Sequence, residues 1–166
     1  HYTMEELMGE KEHPLFLVLE DLQDPGNMGT IFRTAEGAGV DGIFMSANCV
    51  DIYNPKTIRS TMGSIYRVPF VIAPDLQEVF AWFKKQRVRS YAAHLKGKGW
   101  YDEESYTGGT AFLIGNEGNG LTDATAGQAD CLIKIPMKGQ LESLNAGVAA
   151  AILMYEASRQ RRKEYE

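Results

Sequence analysis

The chain has 166 residues, of which 44% are hydrophobic and 23% charged, the composition of an ordinary globular protein with one core. No apolar run approaches the roughly 20 residues needed to cross a bilayer, which excludes a membrane-spanning helix. The net charge of -5 lacks the basic surplus that usually accompanies phosphate binding. We expect a cytoplasmic protein in which Cys49 and Cys131 are buried, reduced thiols.

Residues 1–14 are polar and end at Pro14, so we predict a linker remnant there and one domain over residues 15–166. Short apolar runs then alternate with helical patterns. The predicted strands cover residues 16–19, 42–45, 68–72, 89–93, 111–114 and 132–135. The predicted helices cover residues 28–38, 55–62, 76–83, a short stretch before the sixth strand, and 145–163. This alternation predicts an α/β fold with a mostly parallel six-stranded sheet and helices on both faces.

The first of three Gly- and Asn-rich segments, residues 24–35, follows the first predicted strand. Pro25 suits a tight turn, and Asn27 is predicted to cap the helix that follows. Arg33 shares a helical face with Gly29, and we expect the missing side chain to leave room for a ribose or phosphate. The alternative is that Arg33 pairs with Glu36 at the surface, as the i, i+3 spacing allows.

The second segment, residues 115–120, directly follows a buried strand and has three glycines in six residues. Glycines permit positive φ and close approach of the backbone to a ligand, and Glu117 is the only carboxylate among them. A plain tight turn is the alternative. Because a turn requires one or two glycines and not three, the composition favours a ligand loop.

The third segment consists of residues 135–137 and 143–145, before the long last helix. Ser143 or Asn145 is predicted to cap that helix. The helix is rich in Ala and Gly, which favours close packing within the fold or against a second subunit. Its predicted buried face consists of Leu144, Val148, Ala151, Ile152 and Tyr155.

Two common kinds of site are absent from the pattern. Residues 37–42 match G-x-G-x-x-G by letter, but they end a predicted helix and precede a strand, whereas a dinucleotide fingerprint follows a strand and opens a helix. The histidines and cysteines have no metal-ligand spacing, so we expect no metal. Loops that hold Gly and Asn but neither Lys nor His indicate a ligand bound by backbone groups and amides.

Basic residues form two clusters despite the acidic balance: residues 84–89 hold Lys84, Lys85, Arg87 and Arg89, and residues 159–163 hold Arg159, Arg161, Arg162 and Lys163. Cations near the end of a helix interact favourably with its dipole, which is one explanation. Phosphate binding is the other, and a dimer could combine such patches into one groove.

In this order and spacing, the three segments resemble the motifs of the SpoU family of RNA ribose 2′-O-methyltransferases, which belongs to the SPOUT class of knotted α/β enzymes. The resemblance extends from Phe16 to Arg162. Ile135-Pro136-Met137 through Ser143-Leu144-Asn145 is its most specific part. Asn27-x-Gly29 through Arg33-Thr34-Ala35 is nearly as specific, and Gly115-Asn116-Glu117-Gly118 completes the set.

The resemblance implies S-adenosylmethionine as methyl donor and a deep C-terminal trefoil knot that holds it. It implies a homodimer packed by the first and last helices, with RNA as the partner and no membrane. The family acts on ribosomal and transfer RNA. Because the last helix, through Glu156-Ala157-x-Arg159-Gln160-Arg161, looks most like the ribosomal RNA branch, we expect ribosomal RNA.

The resemblance also assigns the site residues. The catalytic group would be Arg33, Asn27, Glu117, Ser143 and Asn145. The cofactor-binding group would be Leu113, Gly115, Asn116, Gly118, Ile135, Met137, Leu144 and Asn145. By family analogy, Arg33 contacts the target nucleotide and helps to deprotonate its hydroxyl. A guanidinium rarely gives up its proton, so binding phosphate and stabilising the developing alkoxide is the easier chemistry.

Two other functions fit parts of the pattern. A non-catalytic knotted module would bind RNA or cofactor without methyl transfer. A nucleotide-dependent oxidoreductase would bind NAD on a doubly wound sheet, although the glycine fingerprint is misplaced for that. Titration with NAD and with S-adenosylmethionine separates these classes.

Overall fold

The computed structural model describes residues 1–141 and 143–166. Its strands are β1 (Leu15–Leu19), β2 (Gly42–Ser46), β3 (Phe70–Ala73), β4 (Arg89–Ala93), β5 (Gly99–Trp100), β6 (Thr110–Ile114) and β7 (Cys131–Lys134). Its helices are α1 (Met4–Met8), α2 (Pro25–Ala38), α3 (Pro55–Thr61), α4 (Leu76–Lys85), α5 (Asp123–Gln128) and α6 (Ala146–Tyr165). Short 3₁₀ turns cover Ser64–Tyr66 and Tyr101–Glu103.

The strands form one sheet in the order β3-β2-β1-β6-β4-β7-β5, and the paired strands of the described chain run parallel. The predicted parallel α/β architecture is therefore confirmed. The predicted number of strands was wrong, because the sheet has seven and not six. The additional strand, β5, pairs only Gly99 and Trp100 with β7. Two residues in a glycine- and acid-rich connection are too few to produce a strand pattern.

β1 lies inside the sheet and is buried on both faces. Leu15, Leu17 and Leu19 pack into one hydrophobic core, with side chains of α2 and α6. Phe16 and Val18 point to the other face and pack into a second core with α4 and α1. This alternation follows from the two-residue period of a strand, and it explains why β1 is a continuous apolar run.

The start of α2 differs from the prediction. The side chain of Asp24, and not that of Asn27, caps this helix by accepting hydrogen bonds from the amides of Gly26 (2.7 Å) and Asn27 (3.1 Å). Pro25 occupies the first helical position, where its missing N–H has no cost. Gly39 ends the helix in the left-handed conformation, with φ 82°, as predicted.

The buried face of α6 also differs from the prediction. The residues that it buries are Gly147, Ala150, Leu153, Met154 and Ala157. Val148 and Tyr155, predicted to be buried, are 47% and 52% exposed. In a helix this rich in alanine, small residues occur on several faces, so the apolar pattern does not specify which face packs against the sheet.

The first 14 residues contain more order than a linker requires. Thr3 and Glu6 form a capping box at the start of α1. Leu7 is buried, and Gly42 leaves the space that its side chain occupies, since a Cβ on Gly42 would lie 2.7 Å from Leu7 Cγ. Whether these residues serve as a linker stays a prediction.

The end of α6 is fixed by the half-buried guanidinium of Arg161. Arg161 donates hydrogen bonds to the carbonyl oxygens of Tyr106 (2.9 Å), Gly108 (2.7 Å), His13 (2.6 Å) and Pro14 (3.2 Å). Burial lowers the pKa of Arg161. This part of the predicted basic cluster is therefore occupied by backbone carbonyls. Arg159, in the same cluster, is paired with Glu156 at 2.8 Å.

Candidate methyl-donor and RNA site

The candidate site lies at the carboxyl edge of the sheet, where ligand sites of parallel α/β proteins form. A cavity of about 400 Å³ opens between the ends of β4, β6 and β7. The segments after these strands and the residues before α6 form its walls. Segments that are far apart in the sequence, from Ala93 to Ala149, therefore meet at one place.

Most of the predicted site residues line this cavity. They are Leu113, Gly115, Asn116, Glu117, Gly118, Ile135, Met137, Ser143 and Leu144. Asn27, Arg33 and Asn145 are not among its lining residues. The structure thus brings the second and third motifs together in one cavity, with the first motif beside it.

The loop after β6 is compact because its glycines allow close backbone contacts. A Cβ on Gly115 would overlap the peptide between Gly120 and Leu121 and lie 2.7 Å from the Gly120 oxygen. Gly120 itself has φ 69°, which favours glycine. The side-chain oxygen of Asn116 accepts hydrogen bonds from the amides of Gly118 (2.9 Å) and Asn119 (3.0 Å). Asn116 therefore holds the loop in shape from inside.

Glu117 connects this loop to the first motif. Its carboxylate accepts hydrogen bonds from the amides of Gln23 (2.9 and 3.1 Å) and Asp24 (2.8 Å). The amide nitrogen of Asn116 donates to the Asp21 carbonyl at 2.8 Å. These contacts tie the loop after β6 to the loop after β1, so the sole carboxylate of the glycine loop has a clear positioning role.

Asn145 and Asn27 meet at the start of α6. The Asn145 side chain caps this helix, accepting from the amides of Gly147 (2.8 Å) and Val148 (3.1 Å). A Cβ on Gly147 would lie 3.2 Å from the Asn145 side-chain oxygen and 3.3 Å from that of Asn27. The first and third motifs are therefore in contact through Gly147, and of the two predicted caps Asn145 is the one used.

Arg33 lies exposed on α2. Within residues 1–141 and 143–166, its side chain has no hydrogen bond and no ion pair. The alternative pairing with Glu36 is wrong, because Glu36 binds Arg67 and also accepts from the Ser64 hydroxyl at 2.7 Å. These two partners lower the pKa of Glu36. The Arg33 guanidinium is thus available to an outside anion.

The space predicted beside Gly29 is filled by the protein. A Cβ on Gly29 would lie 2.5 Å from the carbonyl carbon and the Cβ of Ser60. The Ser60 hydroxyl donates to the carbonyls of Pro25 and Thr57, both at 2.8 Å. Gly29 therefore serves the close packing of α2 on α3, and any ribose or phosphate that meets Arg33 must approach from the solvent side.

Sequence reasoning missed part of the cavity wall. His94 and Leu95 follow β4 and line the cavity, as do Leu121 and Lys134. The Nδ1 atom of His94 accepts a hydrogen bond from the amide of Lys96 at 3.1 Å, which orients the ring. The available signal was positional: residues just after a parallel strand lie at the edge where ligands bind.

The cavity suits S-adenosylmethionine in size and in chemistry. About 400 Å³ is within the range of small-molecule sites. Leu113, Ile135 and Leu144 give the cavity an apolar wall, and the Gly115–Gly120 loop gives it backbone and amide groups. In the described part of the chain, no group of three or more His, Cys, Asp or Glu side chains is arranged to hold a metal ion.

No helix in the described residues is long and apolar enough to span a membrane. Cys49 and Cys131 are free thiols and are half-buried, a less complete burial than predicted. Cys131 donates a hydrogen bond to the Glu104 carboxylate at 2.9 Å. Burial raises the pKa of both thiols, so they stay protonated at neutral pH.

Comparison with known proteins finds relatives that are named RNA 2′-O-methyltransferases. The chain is 38% identical over 139 residues to the 23S rRNA (guanosine(2553)-2′-O)-methyltransferase of Bacillus subtilis, covering 84% of this chain and 56% of the relative. It is 35% identical over 166 residues to the tRNA (guanosine(18)-2′-O)-methyltransferase of Thermus thermophilus, covering 96% and 82%. The chain thus spans only about half the length of the first of these relatives.

Solved structures of RNA methyltransferases are also similar to this chain. The SpoU methyltransferase AviRb of Streptomyces viridochromogenes, in complex with the cofactor AdoMet, superposes with a TM-score of 0.87 at 34% identity, covering 92% of this chain and 62% of that one. The model of the family described as SpoU rRNA Methylase matches residues 14–155. On its motifs, its fold and these matches, the chain belongs to the SpoU family.

Proposed function

We propose that this chain transfers a methyl group from S-adenosylmethionine to a ribose 2′-hydroxyl of RNA. The observation that carries the proposal is the meeting of the second and third motif loops at one cavity, with the first motif tied to them through Glu117 and Gly147. The first motif also carries Arg33, which is exposed and has no partner among the described residues. Relatives named as 2′-O-methyltransferases of ribosomal and transfer RNA support it. So does the AdoMet complex of AviRb, a structural neighbour.

The residues divide into those that hold the donor and those that act on the acceptor. Gly115, Asn116, Gly118, Ile135, Met137 and Leu144, with Leu113, would hold the donor. When bound, S-adenosylmethionine supplies a methyl group on a sulfonium, from which an oxygen nucleophile can displace it. Alignment of the two reactants contributes up to roughly 7–11 kcal/mol to such reactions, which is the contribution we assign to the glycine loops.

Arg33 would act on the acceptor. Its exposed guanidinium would bind a phosphate of the target RNA and stabilise negative charge as the hydroxyl loses its proton. Asn27 and Asn145 lie around the start of α6, and Glu117 and Ser143 line the cavity. We propose that these four side chains orient the hydroxyl and Arg33. Glu117 has a second role, because it fixes the two loops relative to each other.

The substrate we favour is ribosomal RNA. The relatives from Bacillus subtilis and Streptomyces viridochromogenes are named for 23S rRNA, and the relative from Thermus thermophilus for tRNA. The location we propose is the cytoplasm. Its reducing conditions keep thiols such as Cys49 and Cys131 unpaired, and RNA is present there as a substrate.

We further propose a homodimer that packs through α2 and α6. The exposed apolar side chains of Val148 and Tyr155 on α6 support it, as does the proximity of Tyr155 to α2, where a Cβ on Gly37 would lie 2.7 Å from its hydroxyl. Val148→Glu should give a monomer in sedimentation velocity, because a carboxylate is costly to bury. Sedimentation of the unchanged chain as a monomer would contradict the proposal.

We also propose the trefoil knot that the family resemblance implies. Its support is topological. β7 follows β6 in the chain but pairs with β4 and β5, which precede β6. The segment after β7 then returns to α6, which packs against α2. A chain that crosses back over earlier strands in this way has the connectivity that a threaded C-terminus requires.

The test of the function is methyl transfer to RNA. The protein is incubated with S-adenosylmethionine labelled in the methyl group and with ribosomal RNA from cells lacking it, and the RNA is digested to nucleosides. We expect label in a 2′-O-methylnucleoside. Donor binding without transfer to any RNA would instead favour the non-catalytic module, and binding of NAD in place of the donor would favour an oxidoreductase.

A further inference from the structure

We propose that RNA approaches Arg33 along the outward surface of α3. We call this surface the α3 face and define it as Tyr53, Lys56, Arg59, Met62 and Tyr66. The inference rests on the proposed function and extends it by identifying where an acidic protein contacts a polyanion. The occupant is unpaired RNA, whose phosphates meet the cations and whose bases stack on the tyrosines.

The charge of this region is opposite to that of the whole chain. The chain carries a net charge of -5, yet residues 52–74 contain no Asp or Glu and three cations. Arg67 is paired with Glu36. The side chains of Lys56 and Arg59 are exposed and have neither a hydrogen bond nor an ion pair among the described residues. Two unpaired cations without a nearby carboxylate on the same segment favour phosphate binding.

The helical spacing of α3 places its two cations on the same side as Met62. Thr57 and Thr61 are fully buried, and Ser60 packs on Gly29. Lys56, Arg59 and Met62 follow one another at three-residue spacing and therefore share the opposite, outward side of the helix. All three are exposed, Met62 by 69%.

The aromatic residues of the α3 face are exposed to an unusual degree. Tyr53 is 55% exposed and Tyr66 is 75% exposed. The Tyr53 ring is supported from behind by Phe70 at a centroid distance of 6.4 Å, and Phe70 packs edge-on against Phe32 of α2 at 5.7 Å. A supported, exposed ring is what unpaired bases stack on. This combination of cations and aromatic rings fits single-stranded RNA better than a protein partner.

The α3 face adjoins Arg33. On α2, Gly29 contacts Ser60, and Glu36 accepts a hydrogen bond from Ser64. Arg33 lies between these two contacts in the sequence of α2 and projects from the same side of the helix. The segment before α3 is also tied to the loop that precedes the first motif, since the amide of Val50 donates to the Leu22 carbonyl at 2.7 Å. The α3 face is therefore held in a fixed position relative to the site.

The two basic clusters found in the sequence are poorer candidates. Lys84 and Lys85 lie in the last turn of α4, which packs on the opposite side of the sheet from α2 and α6. In the C-terminal cluster, Arg161 is bound to backbone carbonyls and Arg159 to Glu156. Arg159 and Arg161 are therefore already occupied, and Lys84 and Lys85 lie across the sheet from α2, the helix that carries Arg33.

The test measures RNA binding without the cofactor. The probe is a fluorescein-labelled single-stranded RNA of about 12 nucleotides, compared with its duplex by anisotropy between about 50 and 200 mM KCl. The double variant Lys56→Glu/Arg59→Glu should bind at least about tenfold more weakly and show a salt slope shallower by about 1.4, since each phosphate contact to a single strand contributes about 0.7. Tyr53→Ala should lose about fivefold or more and Tyr53→Phe little, because stacking needs the ring.

The matched control is Lys84→Glu/Lys85→Glu, which makes the same change of charge on α4 and should alter binding far less. Equal losses in the two double variants, unchanged binding in Lys56→Glu/Arg59→Glu, or no binding of the single strand by the unchanged protein would each overturn the inference. A change of oligomeric state in Lys56→Glu/Arg59→Glu would also overturn the inference, by showing that the α3 face contacts a second subunit. Two measurements on the unchanged protein, calorimetric titration with S-adenosylmethionine and methyl transfer to ribosomal RNA, decide the proposed function independently of these outcomes.

Discussion

At the scale of single residues, Arg33 is the side chain on which the mechanism depends most. It is exposed, and Glu36, its sequence neighbour of opposite charge, is bound to Arg67 and Ser64. Arg33→Ala should retain binding of S-adenosylmethionine, because Arg33 does not line the cavity. Methyl transfer should fall at least about 100-fold, as it does when a transition-state charge loses a donor.

Single-turnover kinetics measure the rate of methyl transfer, and calorimetric titration measures binding of S-adenosylmethionine. Arg33→Lys serves as the control that keeps the charge but loses the planar fork, and it should recover only part of the rate. Normal turnover in Arg33→Ala would remove this residue from the mechanism.

Glu117 makes a structural contribution that can be separated from catalysis. Its carboxylate accepts from the amides of Gln23 and Asp24, so Glu117→Ala should release both. We expect faster hydrogen exchange at these two amides and a free energy of unfolding lower by about 1 kcal/mol. Exchange at amides of α4 provides the internal control. Unchanged protection of Gln23 and Asp24 would show that the contact does not persist in solution.

At the scale of elements, the sequence predicts strands better than it predicts helix faces. Runs such as Phe16–Leu19 specify strands whichever side is buried, because both faces of the sheet are covered. The alanine-rich α6 gives no such indication, so the predicted face containing Val148 and Tyr155 was wrong. β5 is missed because its pairing with β7 depends on tertiary structure and not on its two residues.

The site shows the same division between local and tertiary causes. The glycine loop of residues 115–120 and the cap at Asn145 are local patterns, and the structure contains both. The Glu36–Arg67 pair and the packing of Ser60 on Gly29 join residues about 30 positions apart. Spacing along one helix cannot reveal such partners, and for this reason the sequence left the environment of Arg33 open.

The packing of α2 on α3 leads to a prediction that compares two glycines of one helix. Gly29→Ala should lower the free energy of unfolding by about 1–3 kcal/mol, because the new Cβ meets backbone and Cβ atoms of Ser60. Gly37→Ala meets only the hydroxyl of Tyr155, a side chain that is 52% exposed and can move. It should be neutral or stabilising by up to about 1 kcal/mol, since alanine favours helix.

Urea denaturation of both variants at neutral pH checks the comparison. Equal stability of the two would mean that α2 and α3 are not packed as closely in solution as the structure has them.

At the scale of the whole molecule, half-buried and buried acids with raised pKa values lower the stability at alkaline pH. Burial raises the pKa of the thiols Cys49 and Cys131 and of the phenols Tyr91 and Tyr106. Because the unfolded chain loses these protons first, it binds fewer protons than the folded chain in this range. The contribution of these four groups to the free energy of unfolding is fully present below about pH 8.5, where cysteine in the unfolded chain begins to ionise. This contribution is lost as the pH rises.

Urea denaturation at about pH 8 and pH 10 measures this loss. We expect a lower midpoint at the higher pH, and a smaller loss in Cys49→Ala, where one of the four groups is absent. A midpoint that stays constant or rises would show that these groups are not buried in the folded molecule.

The proposed function depends on the assembly of distant loops into one place for the methyl donor, and a crystal structure grown with S-adenosylmethionine tests this most directly. We expect density for the donor between Gly115–Gly120, Ile135–Met137 and Leu144, with Arg33 open to solvent. Donor density anywhere else on the protein, or none at a saturating concentration, would contradict it.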